Sequence, residues 1–258
     1  MVQVRTVVYY APKHGNAEAE WEDGGAFSPG SGRGPRLAVA DGATSGFGSA
    51  RWAQQLVAGF VGADGPAPAV APAALGGWFE TMRTRWREDP VLAGASDLER
   101  LKLARVGSFA TFLGCEIVDG PRPRWTAVAL GDTVLFHVRG GEPVGQFPPL
   151  AAADFGYNPD GVSTKPETLG SVVDRLLVAE GELADGDVLY LATDALAQWL
   201  VTQRGPAVWS VLNALSHPDT FRRLVADRRA AGELGNDDVT LLRAQVAVAA
   251  PAYLVVCL

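Results

Sequence analysis

The sequence predicts an α+β fold in which antiparallel sheets carry helices on their outer faces. Three segments rich in β-branched and aromatic residues follow one another with short turns between them, as in a meander, over residues 107–118, 124–130 and 133–139. Segments with helical spacing occur in runs before and after these strands. The length of 258 residues suits one large core. We therefore expect a single domain over residues 1–258.

The other elements follow from hydrophobic spacing and from Gly and Pro punctuation. The partly alternating N-terminal segment is expected to be a strand, and SPGSGRGP at 28–35 is expected to be a hairpin loop before the apolar run 37–40. Helices are predicted over residues 49–61, 78–87, 97–105, 195–203, 207–215 and 218–231, and strands over residues 187–193, 239–249 and 252–258. Residues 62–77 are predicted to be a connection, and the Pro- and Gly-rich residues 145–170 an irregular, flap-like excursion.

Charge and cysteine content limit the possible functions. The chain has 29 acidic and 22 basic side chains, a formal net charge of -7, which argues against binding to nucleic acid or to anionic membranes. An anionic substrate therefore needs a local binding site. The longest apolar region, 244–258, contains a proline and is shorter than the roughly 20 residues that span a bilayer. Two cysteines, Cys115 and Cys257, provide no disulfide framework, which favours a reducing cytoplasm.

Acidic residues recur where apolar strands begin or end. Asp41 follows LAVA, Asp194 follows LYLAT, and Asp237-Asp238 precede VTLL, while Glu22-Asp23 adds a fourth acidic position. Carboxylates held at strand ends can face a common cleft, where their mutual repulsion requires a cation. Oxygen ligands of this kind favour Mg²⁺ or Mn²⁺ over zinc. Two adjacent metal ions would activate a water for attack on phosphorus.

The ordered set of motifs resembles the metal-dependent serine/threonine protein phosphatases of the 2C type, the PPM family, in its stand-alone bacterial form. The family has an ED pair, a strand ending in DG, a GS-x-A strand, a GD hairpin, an LATD-like strand end and a DNVT-like signature. The corresponding segments here are Glu22-Asp23, LAVADG ending at Gly42, GSFA at 107–110, Gly131-Asp132, LATD ending at Asp194, and DDVT at 237–240. The resemblance covers about residues 22–242.

This resemblance implies a four-layer α-β-β-α sandwich with two central antiparallel sheets flanked by helices, and a binuclear Mg²⁺ or Mn²⁺ centre. Asp41 would bridge both metals, Glu22 and the Gly42 carbonyl would bind one, and Asp194 and Asp237 the other; Asp132 would help to hold a third. The implied activity is hydrolysis of phosphoserine and phosphothreonine in proteins by a metal-activated water, with Asp41 and Asp194 as the catalytic carboxylates. The expected partners are a phosphorylated protein and a cognate serine/threonine kinase or its targets.

Three departures from the family pattern bear on rate and substrate. Many relatives place a phosphate-binding arginine shortly before the ED pair, where this chain has Glu18; Lys13 or His14 is predicted to replace it. The loop after Asp41 lacks a histidine that some relatives have, and Ala195 replaces the usual glycine. Two other functions therefore stay open: a phosphatase-fold binding or regulatory module without catalysis, and a phosphatase of small phosphorylated metabolites.

Several of these residues also have ordinary structural explanations. Glu22 and Asp23 could belong to a solvated acidic stretch, and Asp238 could cap the turn before its strand. His14 could be an exposed loop residue, and His137, inside an apolar strand, is expected to be a core or face residue.

Overall fold

Two five-stranded antiparallel sheets face each other at the centre of the molecule. The structure, a computed structural model, describes residues 2–29, 34–44, 46–63, 65–156, 159–165, 171–203 and 205–248. The strands are β1 (Val2–Ala11), β2 (Gly24–Ser28), β3 (Arg36–Ala40), β4 (Phe109–Ala110), β5 (Phe112–Val118), β6 (Arg124–Leu130), β7 (Val134–Arg139), β8 (Glu142–Phe147), β9 (Val162–Ser163), β10 (Leu177–Glu182), β11 (Val188–Ala192) and β12 (Val239–Val248).

The strand order is β1-β12-β11-β7-β8 in the first sheet and β10-β6-β5-β3-β2 in the second, and β4 pairs separately with β9. The helices are α1 (Ser49–Val61), α2 (Pro72–Arg87), α3 (Pro90–Ala93), α4 (Asp97–Arg105), α5 (Asp194–Thr202), α6 (Ala207–Ala214) and α7 (Pro218–Ala230). Among the helices of the described residues, none is both long and apolar enough to cross a lipid bilayer.

The buried apolar side chains form three layers, which explains how the sheets and helices stack. Residues such as Leu113 of β5 and Leu242 of β12 meet between the two sheets. The outer face of the second sheet packs on α1 and α2, and that of the first sheet packs on α5, α6 and α7. The result is the predicted α-β-β-α sandwich, so the expected fold class is confirmed.

Strand periodicity assigns each side chain to its layer. In β12, Leu241 points toward the helices while its neighbour Leu242 lies between the sheets. In β3, Val39 lies between the sheets and Ala38 packs toward the helices, and all five residues of the strand are buried. This burial on both faces explains why the run before Asp41 is continuously apolar.

Some element boundaries differ from the sequence-based expectation. Helix α2 begins at Pro72, six residues earlier than expected and inside the predicted connection, because proline suits the first turn of a helix and Leu75 is fully buried. Strand β8 extends into the predicted excursion, and β10 was not predicted, since its edge position leaves its residues largely exposed and without a clear alternation.

Parts of three predictions lie outside the described residues: the tip of the 28–35 loop, part of the 145–170 excursion and the 252–258 strand. The single domain over residues 1–258 and its flap over 145–170 stay predictions.

We expect Leu113→Ala to lower the free energy of unfolding by about 2–5 kcal/mol, because Leu113 is 0 % exposed between the sheets and the substitution leaves a cavity. Urea denaturation followed by circular dichroism measures the change. Leu98→Ala is the matched control, since Leu98 is 74 % exposed and its loss should change stability by less than about 0.5 kcal/mol. Equal losses for both variants would contradict this assignment of the core.

Candidate metal centre

The aspartates predicted from strand ends do gather at one end of the sandwich. Asp41 follows β3, Asp132 lies in the turn between β6 and β7, Asp194 begins α5 directly after β11, and Asp237 precedes β12. Asp23, immediately before β2, joins them, since electrostatic interactions connect Asp41 with the other four. A cavity of about 620 Å³ opens there, lined by Asp41, Gly42, Ala43, Thr44, Phe109, Thr111, Phe155, Gly156, Pro159, Asp194, Ala195, Gln198, Gly235, Asn236 and Asp237.

The backbone around Asp41 is fixed from two sides. The Asp41 N–H donates to Thr111 Oγ1 at 3.0 Å, and its carbonyl accepts from the Thr111 N–H at 2.9 Å. The GSFA segment then holds the next residues, because Ala110 bridges to Gly42 and the Phe109 carbonyl accepts from the Ala43 N–H. At Gly42 a Cβ atom would lie 2.5 Å from the Glu22 carbonyl oxygen, so only glycine fits.

Asp194 is held by the change from strand to helix. Its Oδ1 accepts from the Ala195 N–H at 2.5 Å, at the N-terminus of α5, where the helix dipole favours negative charge. Its side chain also interacts electrostatically with that of Asp41. Burial, followed by the charge of Asp237, nevertheless raises the pKa of Asp194 to about 6.

Asp23 is the site residue that the sequence reasoning missed as a participant. It is 0 % exposed, and its Oδ2 accepts from Thr240 Oγ1 at 2.7 Å and Thr193 Oγ1 at 3.0 Å. Its Oδ1 is buried and accepts no hydrogen bond from another described residue. Burial first, and then the charges of Asp238 and Asp194, raise the pKa of Asp23 to about 8. The signal in the sequence was the ED pair itself, from which Glu22 was chosen as the ligand.

Asp132 also has buried carboxylate oxygens without a hydrogen-bond donor among the described residues. It is 4 % exposed, and neither of its carboxylate oxygens accepts a hydrogen bond from another residue in the described part of the chain. Burial, followed by the charge of Asp194, raises the pKa of Asp132 to about 7. The preceding Gly131 has a φ of +104°, which favours glycine and makes the tight turn that directs the chain from β6 to β7.

The donor set suits a hard divalent cation. Burial and the charges of Asp23, Asp194, Asp237 and Asp132 raise the pKa of Asp41 well above its usual range, so these carboxylates cannot all be ionised without a positive charge. Asp23 and Asp132 offer buried oxygens without a donor. Within the described ranges, no three acidic, histidine or cysteine side chains are placed closely enough to hold a metal ion as they stand. Binding of a cation would therefore have to bring these carboxylates closer together.

Glu22 and Lys13 are bonded to each other at the edge of this group. The Lys13 ammonium lies 3.0 Å from Asp237 Oδ1, 3.4 Å from Glu22 Oε2 and 2.7 Å from Thr44 Oγ1, and Thr44 Oγ1 in turn lies 2.6 Å from Glu22 Oε2. Burial alone would lower the pKa of Lys13, but the hydrogen bond and charge of Asp237, helped by Glu22, outweigh it and raise the pKa. Lys13 is thus a charged group beside the aspartates.

The histidines are placed differently. His14 is exposed and is tied to the site through its main chain, whose N–H donates to Asn236 Oδ1 at 2.6 Å. His137 is 4 % exposed in β7, where Trp125 Nε1 donates to its Nδ1 at 3.2 Å and its Nε2 lies 2.8 Å from Asp187 Oδ2. His137 is therefore the core residue that its apolar strand predicted.

In the presence of a chelator, we expect the free energy of unfolding to fall as the pH rises from 5 to 8. Burial favours the protonated form of Asp23 in the folded protein, so the folded state is most stable relative to the unfolded state below the ordinary pKa of about 4. This advantage is lost as the pH rises toward about 8, the pKa of Asp23 in the folded protein. Asp23→Asn should reduce the slope by about 1 kcal/mol per pH unit, measured by urea denaturation at each pH. Asp97→Asn, at an exposed aspartate, should leave the slope unchanged; an unchanged slope in Asp23→Asn would contradict the burial argument.

Comparison of the sequence with known proteins identifies nothing. No protein-family model matches the chain, and no curated protein sequence matches it either.

Comparison of the structure gives a consistent answer. The catalytic domain of the serine/threonine protein phosphatase PstP in complex with two manganese ions is 19% identical, with a TM-score of 0.60, over 96% of this chain and 100% of that one. The Mycobacterium tuberculosis phosphatase PstP/Ppp is 17% identical, with a TM-score of 0.62, over the same shares of the two chains. A serine/threonine phosphatase of S. agalactiae is 16% identical, with a TM-score of 0.62, over 96% of this chain and 100% of that one. Together with the sandwich described above, these similarities show that the chain has the fold of the serine/threonine protein phosphatases of the 2C type.

Proposed function

We propose that this protein is a metal-dependent phosphatase that removes phosphate from phosphoserine and phosphothreonine in proteins. The observation that carries the proposal is the placement of Asp41, Asp194 and Asp237 along one cleft, with Asp23 and Asp132 buried nearby and holding oxygens that lack hydrogen-bond donors among the described residues. Structural relatives at 16–19% identity include serine/threonine phosphatases, and one of them binds two manganese ions, which supports the same chemistry here.

In this proposal Asp41, Asp194, Asp237 and the Gly42 carbonyl would hold two Mg²⁺ or Mn²⁺ ions, and Asp132 would help to hold a third. Glu22 stays a predicted ligand, although its carboxylate is bonded to Thr44 and Lys13. Asp23 provides a buried carboxyl group near these aspartates, fixed by the hydroxyl groups of Thr193 and Thr240. When bound, the metal ions activate the attacking water and neutralise charge on the phosphate.

The chain itself has to bind and orient the phosphoryl group. Lys13 is the cation best placed for this role, since its ammonium already lies beside Asp237 and Thr44 at the edge of the cleft. It replaces the arginine of many relatives with a compact charge that lacks the paired donors of a guanidinium. We therefore expect phosphate to be attracted but less rigidly oriented. His14 contributes through its main chain and is the weaker candidate.

The size of the site supports a protein substrate. A cleft lined by Phe109, Phe155 and Pro159 beside the aspartates can accommodate peptide flanking a phosphorylated residue. We propose a phosphoprotein substrate and, as functional partner, the kinase that phosphorylates it, in a cytoplasmic setting, without nucleic acid or membrane as ligand. A panel of phosphopeptides and small phosphate esters distinguishes this function from that of a metabolite phosphatase, and metal binding without turnover on any of them would identify a catalytically inactive module.

We expect Asp41→Asn and Asp194→Asn each to lower kcat/KM on a phosphothreonine peptide with Mn²⁺ by at least about 100-fold, because each removes a charge that holds the cation. Phosphate release measures the rate, and calorimetric titration with Mn²⁺ should show weaker binding in both variants. Asp97→Asn is the control with the same chemical change at an exposed site. Full activity in both variants would exclude the proposed mechanism.

We expect Lys13→Met to raise KM for the phosphopeptide by about tenfold to a hundredfold, the range for losing a charge-assisted hydrogen bond. Mn²⁺ binding should stay at least as tight, because a positive charge beside Asp237 is removed. Lys13→Arg should retain most of the affinity, and His14→Ala should change KM by less than about threefold. A rise in KM for His14→Ala but not for Lys13→Met would assign the phosphate contact to His14 instead.

A further inference from the structure

Asp238 connects two distant parts of the chain through a single buried carboxylate. It lies at the start of β12, next to Asp237, and is 2 % exposed. Its Oδ1 accepts from the Lys13 N–H at 2.8 Å, and its Oδ2 accepts from the Glu22 N–H at 2.9 Å. Each oxygen is thus bonded to one end of the connection between β1 and β2. These contacts differ from the turn cap that the sequence left open as an alternative role for Asp238.

The connection that Asp238 anchors carries three residues of the candidate site. Lys13 follows β1 almost directly, and Glu22 and Asp23 precede β2, so the two bonded amides enclose an exposed segment with a short 3-10 turn at Glu18–Glu20. The position of the Lys13 ammonium beside Asp237 and that of the Asp23 carboxylate beside Asp41 both depend on how the ends of this segment are fixed.

Neighbouring residues support the same anchor. Asn236 Oδ1 accepts from the His14 N–H at 2.6 Å. Arg229 of α7 donates to the Pro12 carbonyl at 2.8 Å and also to the Asp237 carbonyl. The turn before β12 is therefore bonded to residues 12–14 through several groups, but Asp238 alone among them also reaches Glu22.

The chemistry of the side chain explains why a carboxylate suits this position. A carboxylate accepts hydrogen bonds on both oxygens, whereas an asparagine side chain has one acceptor oxygen and a donor group. Aspartate can therefore accept from both main-chain N–H groups, one on each oxygen. Asparagine, the residue at this place in the DNVT-like signature, would leave one of these N–H groups without an acceptor. The two hydrogen bonds offset the repulsion that a further carboxylate causes near Asp23.

We propose that Asp238 is a positioning residue, which holds Lys13 and the Glu22-Asp23 pair in place against Asp41 and Asp237 without contacting the substrate. Its part in turnover rests on the proposed phosphatase function, whereas the anchoring of residues 13–22 does not.

Two substitutions separate geometry from charge. Asp238→Asn and Asp238→Ala remove the same negative charge, but asparagine keeps one acceptor and alanine keeps none. In chelated protein, amide hydrogen exchange of peptides covering residues 12–23 should accelerate about tenfold in Asp238→Ala and less in Asp238→Asn, relative to the unmodified chain. Mn²⁺ affinity by calorimetry and kcat/KM on the phosphopeptide should fall in the same order, with a change in KM as well as in kcat because Lys13 is displaced.

Asp185→Ala is the matched control. Like each oxygen of Asp238, Asp185 Oδ1 accepts a hydrogen bond from a main-chain N–H. Its donor is Val248, at 2.9 Å, at the other end of β12. This variant should leave exchange in residues 12–23, Mn²⁺ affinity and turnover unchanged.

Equal effects of Asp238→Asn and Asp238→Ala would show that only the charge matters and would overturn the proposal, as would unchanged exchange in both. If Asp238→Ala fails to fold, Asp238→Asn still tests the proposal. Exchange at wild-type rates in that variant would show that Asp238 does not anchor residues 13–22. If the unmodified protein shows metal binding without turnover, the proposed function fails, while exchange and Mn²⁺ affinity still test the anchor.

Discussion

The repulsion among buried carboxylates is the constraint on which the rest of this structure depends. Asp41 interacts with Asp23, Asp194, Asp237 and Asp132, and burial raises its pKa further. Ionised together, these groups would oppose folding, so the sandwich has to hold them rigidly until positive charge compensates them. Positive charge nearby comes from Lys13, whose ammonium lies 3.0 Å from Asp237 Oδ1, and from Arg229, which donates to the Asp237 carbonyl. A site in which several carboxylates lie close together favours divalent metal ions and, through them, an anionic substrate.

The sandwich meets this constraint by placing each aspartate at the end of a well-packed element. Asp41 follows a strand buried on both faces, and Asp194 follows β11, whose five residues are all buried. The threonines at the neighbouring strand ends, Thr193 and Thr240, then donate to Asp23 from beneath. The large apolar cores between and outside the sheets thus provide stability that offsets the cost of burying these carboxylates. The net acidity of the chain is consistent with this, since part of its excess charge lies in a cleft suited to cations.

Sequence reasoning succeeded for strongly periodic segments and for residues fixed by strand ends. Helices α1 and α4 have the predicted bounds, and Asp41, Asp132, Asp194 and Asp237 lie at one end of the sandwich, where their metal-binding roles stay predictions. It did not distinguish the environments of Glu22 and Asp23, because two adjacent residues of similar chemistry point in different directions. One carboxylate lies at the edge with Thr44, and the other is fully buried. It also missed β10, whose exposed edge position produces no alternation.

By itself, the sequence determined the α+β class, the acidic strand ends and the expectation of a hard cation, since periodicity and residue type are local properties. Only the tertiary structure decided which member of the ED pair is buried, that Lys13 rather than His14 brings its charged group to Asp237, and that Asp238 binds the amides of Lys13 and Glu22. These outcomes depend on contacts between residues more than 200 positions apart along the chain, as at Asp238. No local pattern encodes them, because the packing of the two sheets brings those strand ends together.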